Sequence, residues 1–291
     1  MARKPVKEKK TVKTTGHEWD GITELDNPMP RWWLWTMYMT IIWGIGYVIA
    51  YPAWPMITGA TKGVLGYSSR AEVAADIASF NAKNAPLDAK IVSLELLAIA
   101  GDSEVGDYAI SGGGAVFRTF CIQCHGAGAA GAKGYPNLLD DDWLWGGDIE
   151  AIYTTISHGI RDEADEDTRL SDMPVFGDDY LEKTEIAQVA QFVLSLSGMA
   201  TDETLVADGS LVFEDNCAAC HGDEGMGDRE VGAPNLADAL WLYGGDLETV
   251  TETITNSRGG VMPAWSAVGR LTESQIRQVT VYVHTKLGGG E

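Results

Sequence analysis

Cys121-Ile122-Gln123-Cys124-His125 and Cys217-Ala218-Ala219-Cys220-His221 hold the only four cysteines of this 291-residue chain. Cys-x-x-Cys-His is the attachment pattern of c-type haem. Two thiols add across the porphyrin vinyl groups, and the adjoining imidazole becomes the proximal iron ligand. Other uses of Cys-x-x-Cys fit less well. A thioredoxin-like redox pair gives no reason for a histidine after each second cysteine. A zinc site would have to join pairs 96 residues apart and leave both histidines unexplained. Disulfides among the four would make the duplicated histidine a coincidence. The expectation is two covalently bound haem c groups, held by Cys121, Cys124, Cys217 and Cys220 with His125 and His221 on iron, and hence electron transfer.

The similarity of the two stretches extends well beyond the cysteines. Copy one reads Val116-Phe117, CIQCHG, Pro136-Asn137-Leu138, Trp143-Leu144-Trp145-Gly146-Gly147-Asp148 and Ile156. Copy two reads Val212-Phe213, CAACHG, Pro234-Asn235-Leu236, Trp241-Leu242-Tyr243-Gly244-Gly245-Asp246 and Ile254. Each then reaches a Met-Pro pair, Met173-Pro174 or Met262-Pro263, and a closing amphipathic helix. The apolar faces are Ile186, Val189, Phe192, Val193 and Leu196 in the first and Ile276, Val279, Val283 and Leu287 in the second. Thr272-x-x-Gln275 has the form of a capping box. The GGD motifs lie 98 residues apart and the Met-Pro motifs 89, so copy one carries nine extra residues near Arg161 to Asp172. That stretch holds Asp162, Glu163, Asp165, Glu166 and Asp167, a solvated face or a docking rim.

The order of short helix, C-x-x-C-H, glycine-rich loop, middle helix, methionine loop and closing helix resembles the class I cytochrome c fold. A repeat of this size is small for a self-supporting core, and the haem would supply the missing apolar centre. The 34 glycines suit backbone wrapped closely around a flat ligand. The resemblance implies Met173 and Met262 as distal iron ligands; His/Met ligation raises the reduction potential. Other residues compete. His158 in the middle helix of copy one, where copy two has Asn256, offers bis-His coordination or a contact near a propionate. Met226 sits five residues after His221, too close to reach the opposite haem face easily, and Met199 has no repeat counterpart. Whether each methionine serves its own repeat or the two exchange stays open. Trp143, Trp145, Trp241 and Trp265 are expected on haem edges, and His17 and His284 read as ordinary polar residues.

Residues 32–51 carry no charge, and twenty residues of helix cover about 30 Å, the thickness of a bilayer's hydrocarbon. Trp32, Trp33, Trp35, Tyr51 and Trp54 near its ends form an aromatic belt, and Pro52 and Pro55 mark the exit. The run is too long and too aromatic for a signal-peptide core, so it reads as an uncleaved anchor. Gly44-x-Gly46 is a weak sign of packing against another membrane helix. The first 31 residues hold seven Lys/Arg, among them Lys4, Lys7, Lys9, Lys10 and Lys13, whereas Pro52 to Ser69 holds only Lys62. The positive-inside rule places the N-terminus in the cytoplasm and the haem domains across the membrane. Haem attachment outside the cytoplasm agrees.

Net charge is −21. Such a field steers a cationic soluble protein, with a basic cytochrome c as the obvious guest, and effectively excludes nucleic acid. Between anchor and first haem motif, Ser69 to Ala82 and Leu87 to Gly101 look helical, separated by Pro86. The expected chain is mainly α: a cytoplasmic segment (1–31), one transmembrane helix (32–54), a periplasmic helical connector (55–107) and two tandem class I cytochrome c domains (108–199 and 200–291).

The segments His17-Glu18-Trp19-Asp20-Gly21-Ile22, Asp26-Asn27-Pro28-Met29-Pro30-Arg31-Trp32-Trp33 and Tyr51-Pro52-Ala53-Trp54-Pro55 resemble the N-terminus of the diheme subunit of cbb3-type cytochrome c oxidases. This is subunit III, the CcoP/FixP family, and the resemblance spans the whole chain. Some relatives carry two spans where this chain shows one. The resemblance implies a subunit without a catalytic centre of its own. It would take electrons from soluble or membrane cytochrome c and the bc1 complex. It would pass them through a monohaem cytochrome c subunit to a haem-copper subunit that reduces O2 and pumps protons. The runner-up is an anchored diheme carrier for another enzyme, such as a nitric oxide reductase or a periplasmic dehydrogenase. A diheme peroxidase would need a haem with an open sixth site, and a haem-based sensor an attached signalling domain.

Overall fold

A computed structural model describes residues 12–238 and 240–290. Lys4, Lys7, Lys9 and Lys10, on which the sidedness argument leans, lie outside the described residues. The chain divides into two compact units, residues 1–82 and 83–291.

The first unit opens with an antiparallel hairpin, β1 (Thr14–Trp19) and β2 (Ile22–Leu25), in which Trp19 faces Ile22. Asp20 and Gly21 both take positive φ, 50° and 82°, the backbone that a tight Asp-Gly hairpin turn requires. Helix α1 (Arg31–Ala50) follows. It is the only helix among the described residues long and apolar enough to cross a membrane, and none of its side chains is buried. Helical geometry stops at Ala50, short of residue 54, because Tyr51 is extended ahead of Pro52. The carbonyls left over at this end are met by Val64 N on Ile49 O at 2.9 Å and Leu65 N on Ala50 O at 3.1 Å. Gly63, at φ 70°, brings that loop in; a Cβ there would lie 2.4 Å from Ala50 O. A minimal hairpin, β3 (Pro55–Met56) with β4 (Gly59–Ala60), completes the turn.

Helix α2 (Ser69–Ser93) is one continuous helix rather than two separated at Pro86. The proline costs one hydrogen bond, to Ala82 O, without ending the helix. Residues from Lys83 onward belong to the second unit. There α2 and α3 (Leu96–Ile99) bury Ile91, Leu96 and Ile99 with Val105, Ala109, Ile149 and Val281. Asp88 accepts hydrogen bonds from Tyr108, Ser274 and Gln278 at 3.0, 2.8 and 3.1 Å.

The remaining helices are α4 (Gly106–Val116), α5 (Ile122–His125), α6 (Ile149–His158), α7 (Lys183–Leu196), α8 (Val206–Asn216), α9 (Ala218–His221), α10 (Leu247–Asn256) and α11 (Glu273–Lys286). A π-helical turn over Phe117–Cys121 joins α4 to α5. Asp148 and Asp246 of the GGD motifs cap α6 and α10; Asp148 accepts from Ala151 N at 2.9 Å and Asp246 from Thr249 N at 2.9 Å. The capping box of Thr272 and Gln275 opens α11.

The packing of these helices crosses the sequence repeats. Helix α4 of copy one packs on α11 of copy two, and α8 of copy two packs on α7 of copy one. The contact is the same in both. A Cβ on Gly113 of α4 would lie 2.0 Å from Gln278 O of α11, and one on Gly209 of α8 would lie 2.1 Å from Gln188 O of α7. Only glycine lets the two backbones meet. One core joins Val116, Phe117, Ile152 and Ile156 with Leu271, Ile276, Val279 and Val283. The other joins Phe176, Ile186, Val189, Val193 and Leu194 with Phe213, Val250 and Ile254. The cores therefore do not follow the limits 108–199 and 200–291. The second is built from one continuous stretch, 173–256, inserted into the first. The link between α7 and α8 is short, and consecutive helices on a short link pack as neighbours. Gln191 fixes this link by accepting from Thr201 N and Asp202 N at 2.9 and 3.1 Å.

Candidate haem sites

Each C-x-x-C-H segment forms a single helical turn, α5 or α9, that ends at a glycine with positive φ, Gly126 or Gly222. Cys121 and Cys217 are half-buried, while Cys124 and Cys220 are exposed. Burial, then the neighbouring cysteine, pushes the thiols of Cys121 and Cys217 up to about 11. They therefore stay protonated at neutral pH, and the reactive thiolate is scarce.

His125 Nδ1 lies 3.1 Å from Pro136 O, and His221 Nδ1 lies 3.1 Å from Pro234 O. A carbonyl can only accept, so the proton sits on Nδ1 and the Nε2 lone pair is left for a metal. Burial holds both imidazoles below their ordinary range, partly offset by these bonds, which favours the neutral, ligating form. Pro136 and Pro234 open the repeated Pro-Asn-Leu. The sequence displayed that repeat, but its role as orienter of the imidazole emerges only once the loop is folded.

The crossing of helices decides which methionine meets which cysteine. Met262 packs in the cluster containing Cys121, Ile122, Leu138, Trp143 and Trp265. Met173 packs in the cluster containing Cys217, Ala218, Leu236 and Trp241. The loop hydrogen bonds follow the same pairing of segments. Met262 and Ile160, just past α6, exchange both backbone hydrogen bonds at 3.0 Å. Met173 O accepts from Ser257 Oγ, just past α10, at 2.7 Å. Met226 and Met199 are exposed. His158 engages Asp165 Oδ2 through Nδ1 at 3.1 Å, and Asp165 Oδ1 accepts from Asp167 N at 2.8 Å.

These residues fit haem c. Trp143 Nε1 and Trp241 Nε1, at equivalent positions of the two copies, are buried donors with no hydrogen-bond partner among the described residues. Buried donors of this kind call for an acceptor, which a haem propionate would supply. The second glycine of each GGD lets its tryptophan approach: a Cβ on Gly147 would lie 2.8 Å from Trp143 Cδ1, and one on Gly245 2.5 Å from Trp241 Cδ1. Trp265 stands edge-on to Phe120 at 5.4 Å. Trp145 plays another part. The Arg169 guanidinium lies 5.0 Å from its ring, and Gly232 of copy two approaches so closely that a Cβ would lie 2.3 Å from Trp145 Cε2. Tyr243, its counterpart, lies under Arg258 at 5.2 Å and beside Gly134. Gly134 N donates to Leu242 O at 2.8 Å. These contacts join the loop that orients one histidine to the loop of the other site's tryptophan.

Beside this junction, residues 139–144 and 226–238 line a groove of about 640 Å³ carrying Asp140, Asp141, Asp142, Asp228 and Asp238. Burial, then the charges of Asp238 and Asp140, raises the Asp142 carboxyl above its ordinary range, against the pull of Arg229.

Residues 11–58 match a family described as the N-terminal domain of cytochrome oxidase-cbb3, FixP. Residues 109–193 and 204–283 each match cytochrome c oxidase, cbb3-type, subunit III. The chain is 60% identical over 293 residues to the cbb3-type cytochrome c oxidase subunit CcoP of Cereibacter sphaeroides, covering all of both chains. It is 54% identical over 299 residues to the CcoP subunit of Rhodobacter capsulatus, again covering all of both. It is 51% identical over 288 residues to the FixP subunit of Sinorhizobium medicae, covering 99% of this chain and 98% of the other.

Proposed function

Because the chain belongs to the CcoP/FixP family of cbb3-type cytochrome c oxidase subunits, we propose that it is the membrane-anchored diheme subunit through which electrons enter such an oxidase. The observation that carries this reading is the duplicated site: twice in one chain, an imidazole fixed through Nδ1 beside an apolar crevice with a methionine and a partnerless tryptophan N–H.

Cys121 and Cys124 would hold one haem c and Cys217 and Cys220 the other. His125 with Met262, and His221 with Met173, would hold the two irons. When bound, haem c supplies a one-electron Fe(III)/Fe(II) couple. The chain's residues keep that couple closed to substrate. Pro136 and Pro234 carbonyls fix the imidazole orientation and increase its basicity as a ligand. The apolar clusters around Met173 and Met262 exclude water, and the Trp143 and Trp241 N–H groups would hold the propionates. Helix α1 anchors the chain in the bacterial inner membrane with its N-terminus in the cytoplasm and both sites in the periplasm. The acidic surface receives a basic soluble or membrane cytochrome c, fed by the bc1 complex. Electrons leave through a monohaem subunit for the haem-copper subunit that reduces O2. This chain contributes no catalytic centre.

The test is mild detergent purification of the tagged chain from native membranes. Expected are a co-purifying haem-copper subunit and O2 uptake with reduced cytochrome c. A diheme protein arriving alone, or with another enzyme and no oxidase activity, overturns the oxidase reading.

A further inference from the structure

Arg161 begins the nine-residue excess of copy one, in the stretch read from sequence as a solvated face or docking rim. It faces neither role. Its Nε donates to Gly260 O at 2.8 Å, and its Nη1 donates to Ser171 O at 2.8 Å. Gly260 lies two residues before Met262, and Ser171 lies two residues before Met173. One planar guanidinium therefore holds the same position in both methionine loops, a use of the rigid fork that a lysine cannot reproduce. Arg161 itself sits at φ 55°, in the left-handed region that a non-glycine residue keeps only where its surroundings over-determine it.

The neighbouring contacts are one-sided. Asp162 Oδ2 accepts from Ala264 N at 2.7 Å, two residues after Met262, and its Oδ1 accepts from Ala164 N at 3.0 Å. Ser257 Oγ donates to Met173 O. Asp162 thus ties down only the Met262 loop, and Ser257 only the Met173 loop. Arg161 alone among the three reaches both.

We propose that Arg161 is a positioning residue shared by the two sites, which locks both methionine loops into one unit so that the distal thioethers are held or lost together. The proposal rests on Met173 and Met262 being iron ligands. Asp162 and Ser257 set each loop separately, and Arg161 couples them.

The experiment uses the full haem-loaded chain in detergent and follows two readouts: the thioether-to-ferric-iron charge-transfer absorption on heating, and the two midpoint potentials by redox titration. Met173→His and Met262→His are each expected to remove roughly half of that absorption, because each site supplies one thioether. If neither does, the ligand reading fails before Arg161 is at issue. Arg161→Ala, and more mildly Arg161→Lys, is expected to lower the temperature of loss at both sites and move both potentials. Asp162→Asn is expected to act only on the thioether that survives in Met173→His. Ser257→Ala is expected to act only on the one that survives in Met262→His. With the halving observed, the coupling is overturned if Arg161→Ala moves one site alone or neither. It is equally overturned if Arg161→Lys behaves as wild type in both readouts.

Discussion

Cutting the chain at the repeat boundary is expected to destroy a site that cutting across it preserves. A fragment of residues 200–291 contains a whole sequence repeat, with Cys217, Cys220, His221 and a Met-Pro. It lacks the residues that bury Phe213, Val250 and Ile254. The missing side chains are Phe176, Ile186, Val189, Val193 and Leu194, each 5% exposed or less. At about 1.5–3 kcal/mol for each fully buried side chain, the loss is about 8–15 kcal/mol. This is an upper bound, since an unfolded chain already shields some of that surface. It still equals the whole stability of a typical domain, about 5–15 kcal/mol. A fragment of residues 173–257 contains every residue of that core, both cysteines, His221 and Met173. Each fragment would be exported to the periplasm of a strain that attaches haem c. Covalent haem would be read by mass, and folding by a cooperative thermal transition and the thioether-to-iron absorption. The expected outcome is a folded His/Met protein from 173–257 and none from 200–291. The reverse outcome, a cooperatively folded 200–291 and an unfolded 173–257, would refute the crossed packing.

Gly209→Ala places a methyl group 2.1 Å from Gln188 O and 2.9 Å from Phe192 Cβ, so chemical denaturation should show a loss of about 1–3 kcal/mol or more. Gly128→Ala, with open space around it, should stay within about 0.5 kcal/mol of wild type. Asp142 has a raised carboxyl pKa, so its ionised form opposes folding above that value, and the penalty vanishes as pH falls through the unfolded value. Asp142→Asn should accordingly be more stable than wild type at pH 7, with the two melting curves converging below about pH 4; a constant difference across that range would contradict the assignment. Trp241→Phe removes a buried N–H that has no partner among the described residues and that would hold a propionate; its loss would leave more negative charge beside the ferric state, so redox titration should show one midpoint potential falling and the other unchanged. Equal movement of both would speak against a role confined to one crevice.

Much of the candidate site was legible in the sequence because its motif is local. Cys-x-x-Cys-His lies on one turn of helix, and its chemistry needs no distant residue. The aspartates of GGD and the Thr272-x-x-Gln275 box read as helix starts for the same reason: caps act within four residues. The anchor was legible because twenty uncharged residues match a fixed membrane thickness. The hairpin ahead of it was missed although Asp20-Gly21 marks a tight turn, since its strands are short and lack a buried face. Pro86 was read as a break because proline forfeits a helix hydrogen bond, yet packing of Leu87 and Ile91 below it favours continuity. Arg161 was absorbed into an acidic run because nothing local distinguishes it. Its two acceptors belong to loops 10 and 99 residues away.

The sequence by itself determined the contents of the two sites: four thiols, two imidazoles, two Met-Pro loops, and helices with faces able to pack. It could not determine who packs with whom. Gly113 and Gly209 are equivalent, as are Gln188 and Gln278, so either pairing of helices makes the same glycine-to-carbonyl crossing. Local energies in a repeat are nearly degenerate, and the choice falls to connectivity. The short α7–α8 link makes those helices neighbours, and α4 is left for α11. That single decision gives Met262 to the cluster of Cys121 and Met173 to the cluster of Cys217. It also brings both methionine loops within reach of one arginine.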